Sequence, residues 1–129
     1  MRALGRQLLV DLKDCKAKNL DNMEEIQNIM TTAAKLAGAT IKEAIFHKFS
    51  PHGVSGMVII AESHLSVHTW PEYDYAAVDI FTCGEDLKPE KAIGYLIDKF
   101  QSNDPAITEF KRGVLRTEDK NLSRKFEPG

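Results

Sequence analysis

Two changes of apolar period constrain this chain most. Residues 23–38, MEEIQNIMTTAAKLAG, place Met23, Ile26, Ile29, Met30, Ala33, Ala34 and Ala37 at helical spacing. Residues 87–100 do the same with Ile93, Leu96, Ile97 and Phe100. Around and between these helices lie segments of strand character: Arg6–Leu12, Thr40–Phe49, Met57–Glu62, Leu65–Thr69, Ala76–Cys83 and Ala106–Leu115. Thr40–Phe49 has a phase that sets Ile41, Glu43, Ile45 and His47 on one face. Asp21 or Asn22 can cap the first helix, Glu24 and Glu25 suit its first turn, and Gly38 can stop it. Pro89 is acceptable in the first turn of the second helix, PEYDY reads as a turn, and Gly84 ends a strand. The order strand, helix, several strands, helix, strand predicts an α+β fold, a two-layer sandwich of a mainly antiparallel sheet with two helices on one face. The other face would stay uncovered, which suggests a second subunit.

At 129 residues the chain suits one domain, expected over residues 1–115, with the charged end 116–129 expected to be a mobile tail. A net charge of −2 gives no global case for nucleic acid or an anionic membrane. The longest apolar runs are far too short to span a bilayer, and MRALGRQLLVDL lacks a signal peptide's apolar region. The expectation is a soluble, cytoplasmic protein. Two cysteines, Cys15 and Cys83, form no disulfide framework.

Residues 61–70, AESHLSVHTW, concentrate groups that move protons. A metal site is disfavoured: His64 and His68 sit about 13 Å apart in extended chain, and there is no second Cys/His pair at zinc spacing. Ser63 with His68 as base is a conceivable nucleophile pair, although no G-x-S-x-G elbow surrounds it. A polar strand edge is the bland alternative for any one of these residues, and His47, His52, His64 and Ser66 are read that way.

The run ESHLSVHTWPEYDYAAVDIFTCGED resembles the signature of the prokaryotic S-adenosylmethionine decarboxylases. LGR near the N-terminus and FHKFSPHGVSG at 46–56 support the resemblance, which runs from about residue 3 to about residue 115. Gln7 departs from the family, which often has His after LGR. The resemblance implies a proenzyme that cuts itself between Glu62 and Ser63 into a β chain, 1–62, and an α chain, 63–129. Ser63 would attack the Glu62 carbonyl, and elimination and hydrolysis would leave a pyruvoyl group, the covalent cofactor, on the new N-terminus. His68 would be the processing base, Ser55 would support processing, and Cys83 would be the proton donor in turnover, with Asp79 nearby on the same face. The pyruvoyl would form a Schiff base with the substrate amine and take up electrons as CO2 leaves. Phe49 and His68 would sandwich adenine, Glu72 would accept from the ribose, and Leu65 and Trp70 would line the pocket. Cys15 would be structural, and no metal is implied.

Ser63 and His68 fall on opposite faces of a strict strand, so these roles call for a bend or break between them. The resemblance further implies a homodimer resembling four layers, αββα, with sites near the interface built from both subunits. The product would be decarboxylated S-adenosylmethionine, the aminopropyl donor for spermidine. Two rivals stand beside this reading. One is a pyruvoyl-dependent L-arginine or L-ornithine decarboxylase on the same fold, kept open by Glu72 and Asp74. The other is a non-catalytic binding or regulatory subunit.

Overall fold

A computed structural model describes residues 2–83 and 86–115. The expected stop at Gly84 and the expected tail 116–129 lie outside the described residues. Six strands and two helices follow in the order β1 (Arg2–Cys15), α1 (Met23–Leu36), β2 (Ile41–Lys48), β3 (Val54–Ile60), β4 (Ser63–Trp70), β5 (Tyr75–Cys83), α2 (Pro89–Phe100), β6 (Ser102–Leu115). They form one sheet in the order β2-β3-β4-β5-β1-β6, every neighbouring pair antiparallel.

Local chemistry accounts for the helix ends. The Asn22 side chain, rather than Asp21, caps α1 by accepting from the Glu25 N–H at 3.0 Å. Gly38 follows the helix with φ +89°, a conformation that costs glycine little. Pro89 opens α2, where its missing N–H is no loss.

Both helices cover the same sheet face. Leu8, Val10 and Leu12 of β1, Val58 and Ile60 of β3, Leu65 and Val67 of β4, and Val78 and Ile80 of β5 meet Ile26, Met30, Leu96 and Phe100 in one core. Each such side chain contributes roughly 1.5–3 kcal/mol by leaving water. Cys15 closes β1, not a loop, and is buried there; desolvation, then Asp74 and Asp14, push its thiol up to about 11, so it stays protonated and inert.

The single phase expected for β2 is broken: Ile41 packs on the core, whereas Glu43, Ile45 and His47 do not. A register irregularity between Ile41 and Glu43 shifts the alternation, so Ala44 and Phe46 pack on the core while Ile45 is exposed. The Phe46 ring lies across Gly56 on β3, where even a Cβ would come within 2.0 Å of it. Strands β1 and β6 run longer than expected because they pair with each other from Arg2↔Leu115 to Cys15↔Ser102.

The second sheet face carries no helix. Across its middle runs the row Ile45, Met57, Ser66, Asp79, Leu9 and Thr108. Leu9, Ile45, Met57 and Phe110 on this face are exposed large apolar side chains.

Candidate active site

Strand β4 organises the site. The chain leaves β3 at Ile60, turns at Ala61 and Glu62, and enters β4 at Ser63. Ser63 has φ +147°, outside the ordinary β region, which is uncommon for a residue with a side chain. The turn is nonetheless held firmly. The Ala61 N–H donates to the Thr40 carbonyl at 2.8 Å, and the Thr40 N–H donates to the Glu62 carboxylate at 3.3 Å. The Glu62 carbonyl accepts the Cys83 N–H at 2.9 Å. The peptide between Glu62 and Ser63 therefore joins a donor-bound carbonyl to a residue with strained backbone.

Beyond Ser63, β4 continues unbroken to Trp70, so the bend expected between Ser63 and His68 is absent. The irregularity sits at Ser63 itself. Consecutive strand side chains normally diverge to opposite faces. Here the Ser63 hydroxyl lies 3.5 Å from Nδ1 of His64, whose ring packs beside Phe81 on the open face.

His68 is at the other end of that face, five residues away, or roughly 16 Å along a strand. Its register partner on β3 is Ser55, and the Ser55 hydroxyl and His68 Nδ1 share a 2.8 Å hydrogen bond. Aromatic rings gather at the same end. Trp70 stacks on Tyr75 at 5.3 Å between centroids, and His68 is 6.5 Å from Trp70. Tyr75 donates its hydroxyl to Asp11; burial first, then that bond, push it up to about 12. Phe49, half exposed in the β2–β3 turn, meets His47 edge-on at 4.5 Å. Glu72, in the 3-10 turn Pro71–Tyr73, lies 3.2 Å from His52 Nε2.

The structure thus divides the residues singled out in the sequence. Glu62, Ser63 and Cys83 gather at one end of the sheet. Ser55, His68, Phe49, Trp70 and Glu72 gather at the other. The Leu65 side chain belongs with neither: it faces the helices, is 1% exposed and packs the core, so only its backbone is left to meet a ligand. Asp79 shares a face with Cys83 but lies four residues away, roughly 13 Å along β5, and accepts from Ser66 at 3.4 Å. Cys83 is exposed at the end of β5, beside Gly5 of β1 in register. The Phe81 ring covers Gly5 closely enough that a Cβ there would meet it at 2.7 Å. His52 and Tyr75 were not singled out for this end of the site. The run of aromatic and carboxylate residues from Trp70 to Tyr75 was the available signal for Tyr75. Among the described residues no group of three or more His, Cys, Asp or Glu side chains is placed to hold a metal ion. No helix among them is long and apolar enough to cross a membrane.

These features define a class: a two-layer α+β protein whose open sheet face carries a strained serine at one end and a Ser–His pair at the other. Within that class the chain belongs to the S-adenosylmethionine decarboxylase family, whose family model matches residues 6–113. It is 51% identical over 125 residues to an S-adenosylmethionine decarboxylase proenzyme of Thermodesulfovibrio yellowstonii, covering 97% of this chain and 93% of that one. A protein of the same name from Moorella thermoacetica is 53% identical over 115 residues, 89% of this chain and 92% of its own. The crystal structure of the adenosylmethionine decarboxylase from Aquifex aeolicus VF5 superposes with a TM-score of 0.84 at 34% identity, covering 91% of this chain and 97% of the other.

Proposed function

We propose that the chain cuts itself between Glu62 and Ser63 and then decarboxylates S-adenosylmethionine as a homodimer. The observation that carries this reading is the Glu62–Ser63 peptide, with its carbonyl hydrogen-bonded to the Cys83 N–H at 2.9 Å and its serine at φ +147°. A bound donor polarises the carbonyl for attack and supports the oxyanion that forms. Strain at the serine raises the peptide toward the transition state.

The Ser63 hydroxyl attacks the Glu62 carbonyl carbon, the amide nitrogen leaves with a proton, and an ester joins the two residues. Removal of the Ser63 α-proton expels the Glu62 carboxylate. Hydrolysis of the resulting dehydroalanine releases ammonia and leaves a pyruvoyl group. That group supplies an electron sink for the substrate's carboxyl electrons. His68, oriented by Ser55, is the base for processing. Cys83 delivers a proton from its Sγ to the substrate's α-carbon. Phe49, His68 and Trp70 give flat surfaces for adenine, and Glu72 accepts from the ribose. Aromatic faces also favour a sulfonium.

A base must come within about 3 Å of the serine it serves, whereas His68 of the same chain is roughly 16 Å away along β4. A second copy resolves this. If two open faces pack about 10 Å apart around a two-fold axis crossing β4 near Ser66, each Ser63 end faces the partner's His68 end. The exposed Leu9, Ile45, Met57 and Phe110 are then covered, giving four layers, αββα.

Intact-mass measurement on the purified protein tests the reading. Two chains split after Glu62, the second bearing a pyruvoyl mass, are expected, with CO2 released from S-adenosylmethionine rather than from arginine or ornithine. A single chain that stays uncut over time overturns the processing step. Cys83→Ala should still cut itself, since the Cys83 donor to Glu62 is its backbone N–H, but should lose roughly 10²–10⁴ in kcat, read as CO2 release per cleaved site.

A further inference from the structure

Glu72 is not free. Its carboxylate lies 3.2 Å from His52 Nε2, and both side chains are a little over a third exposed, open to a ligand. The turn that carries His52 is braced from several sides. The Gly53 N–H donates to Asp21 at 2.7 Å, the Phe49 N–H donates to the Gly53 carbonyl at 2.8 Å, and Lys48 reaches Asp21 at 3.0 Å. Gly53 holds φ +112° only 3.2 Å, from where a Cβ would be, below the Thr69 carbonyl, so the turn is packed tightly on β4. Glu72 sits across from it in a turn closed by the Asp74 N–H donating to the Pro71 carbonyl at 3.2 Å. An exposed contact of this kind adds little to stability. Its consequence is geometric: it holds the Glu72 carboxylate toward the turn that carries His52.

We infer that His52 is a positioning residue, which aims the ribose-binding carboxylate of Glu72. The inference rests on the ribose role of Glu72 given above. With His52 neutral, its Nε2–H donates to one carboxylate oxygen, and the other remains an acceptor for a hydroxyl.

The test compares His52→Ala, His52→Gln and Glu72→Ala with the unchanged enzyme, using S-adenosylmethionine at pH 8 with cleavage checked by intact mass. His52→Ala should raise KM about tenfold at pH 8 with kcat nearly unchanged, the loss of one charge-assisted hydrogen bond. His52→Gln retains an N–H donor without a charge. It should restore KM to near that of the unchanged enzyme. An unchanged KM in His52→Ala, or a KM that stays raised in His52→Gln, overturns the inference while leaving the ribose site standing if Glu72→Ala raises KM. An unchanged KM in Glu72→Ala overturns both.

Discussion

Ser63→Ala should stay a single chain indefinitely and release no CO2 above background. The substitution removes the oxygen that attacks Glu62 and, with it, the precursor of the catalytic carbonyl. The expected loss is on the order of 10⁶-fold or more, at the low end of what enzymes add to an uncatalysed rate. Gel mobility and intact mass report the cleavage, and CO2 release reports the turnover. A companion variant separates strain from chemistry. Ser63→Gly is equally unable to cut, but glycine accepts φ +147° without the penalty that alanine retains. Strain of this kind costs about 1–3 kcal/mol. Ser63→Gly should therefore melt several degrees above Ser63→Ala, by about 3–5 °C per kcal/mol, between the shifts of smaller and larger domains. Equal melting temperatures would mean that the Ser63 backbone stores no energy for cleavage.

The layers of this fold were legible because each rests on local chemistry. The i, i+3, i+4 apolar spacing of Ile26, Ile29, Met30 and Ala33 becomes the buried stripe of α1, and Val78 and Ile80 become the inner face of β5. What failed depended on register. One irregularity at Ile41/Glu43 separates Ile41 from the face of Glu43, Ile45 and His47, and nothing in a period-two pattern announces such an insertion. The full length of β1 and β6 was hidden for a related reason. β6 is exposed along nearly all its length, so its residues have no apolar face for a pattern to display; its partner sets its extent.

The site divides in the same way. That Ser63, His68 and Cys83 carry chemistry follows from a resemblance spread over specific residues. Where they stand relative to one another does not. A local reading asked for a bend in β4 so that His68 could reach Ser63, yet β4 must remain regular to keep Leu65, Val67 and Thr69 in the core. The same alternation that buries those three holds His64, Ser66, His68 and Trp70 on the open face. The Leu65 side chain goes to the core. Strain was instead confined to Ser63, the one β4 position where breaking alternation leaves the inner face of the strand intact.

Co-expressing Ser63→Ala with His68→Ala should restore cleavage that neither variant shows alone. If the base comes from the partner, a mixed dimer holds one whole site: Ser63 and Cys83 from the His68→Ala chain, and His68, Ser55, Phe49 and Glu72 from the Ser63→Ala chain. The second site of that dimer lacks both groups. With equal expression and random pairing, about half of the serine-bearing chains should be cut, and about a quarter of the normal number of sites should turn over. Distinct tags on the two chains allow intact mass to show that only the His68→Ala chain is cut. The size of the effect follows from geometry, because roughly 16 Å along one rigid strand cannot be closed by a side-chain rotation. A continuous core beneath β4 also resists the local unfolding that would close it within one chain. If the mixture stays uncut while a doubly normal control cuts, His68 does not act across the two-fold axis. The group nearest the Ser63 hydroxyl, His64 at 3.5 Å, would then become the base to test, and the apolar open face would have to pair by some other geometry.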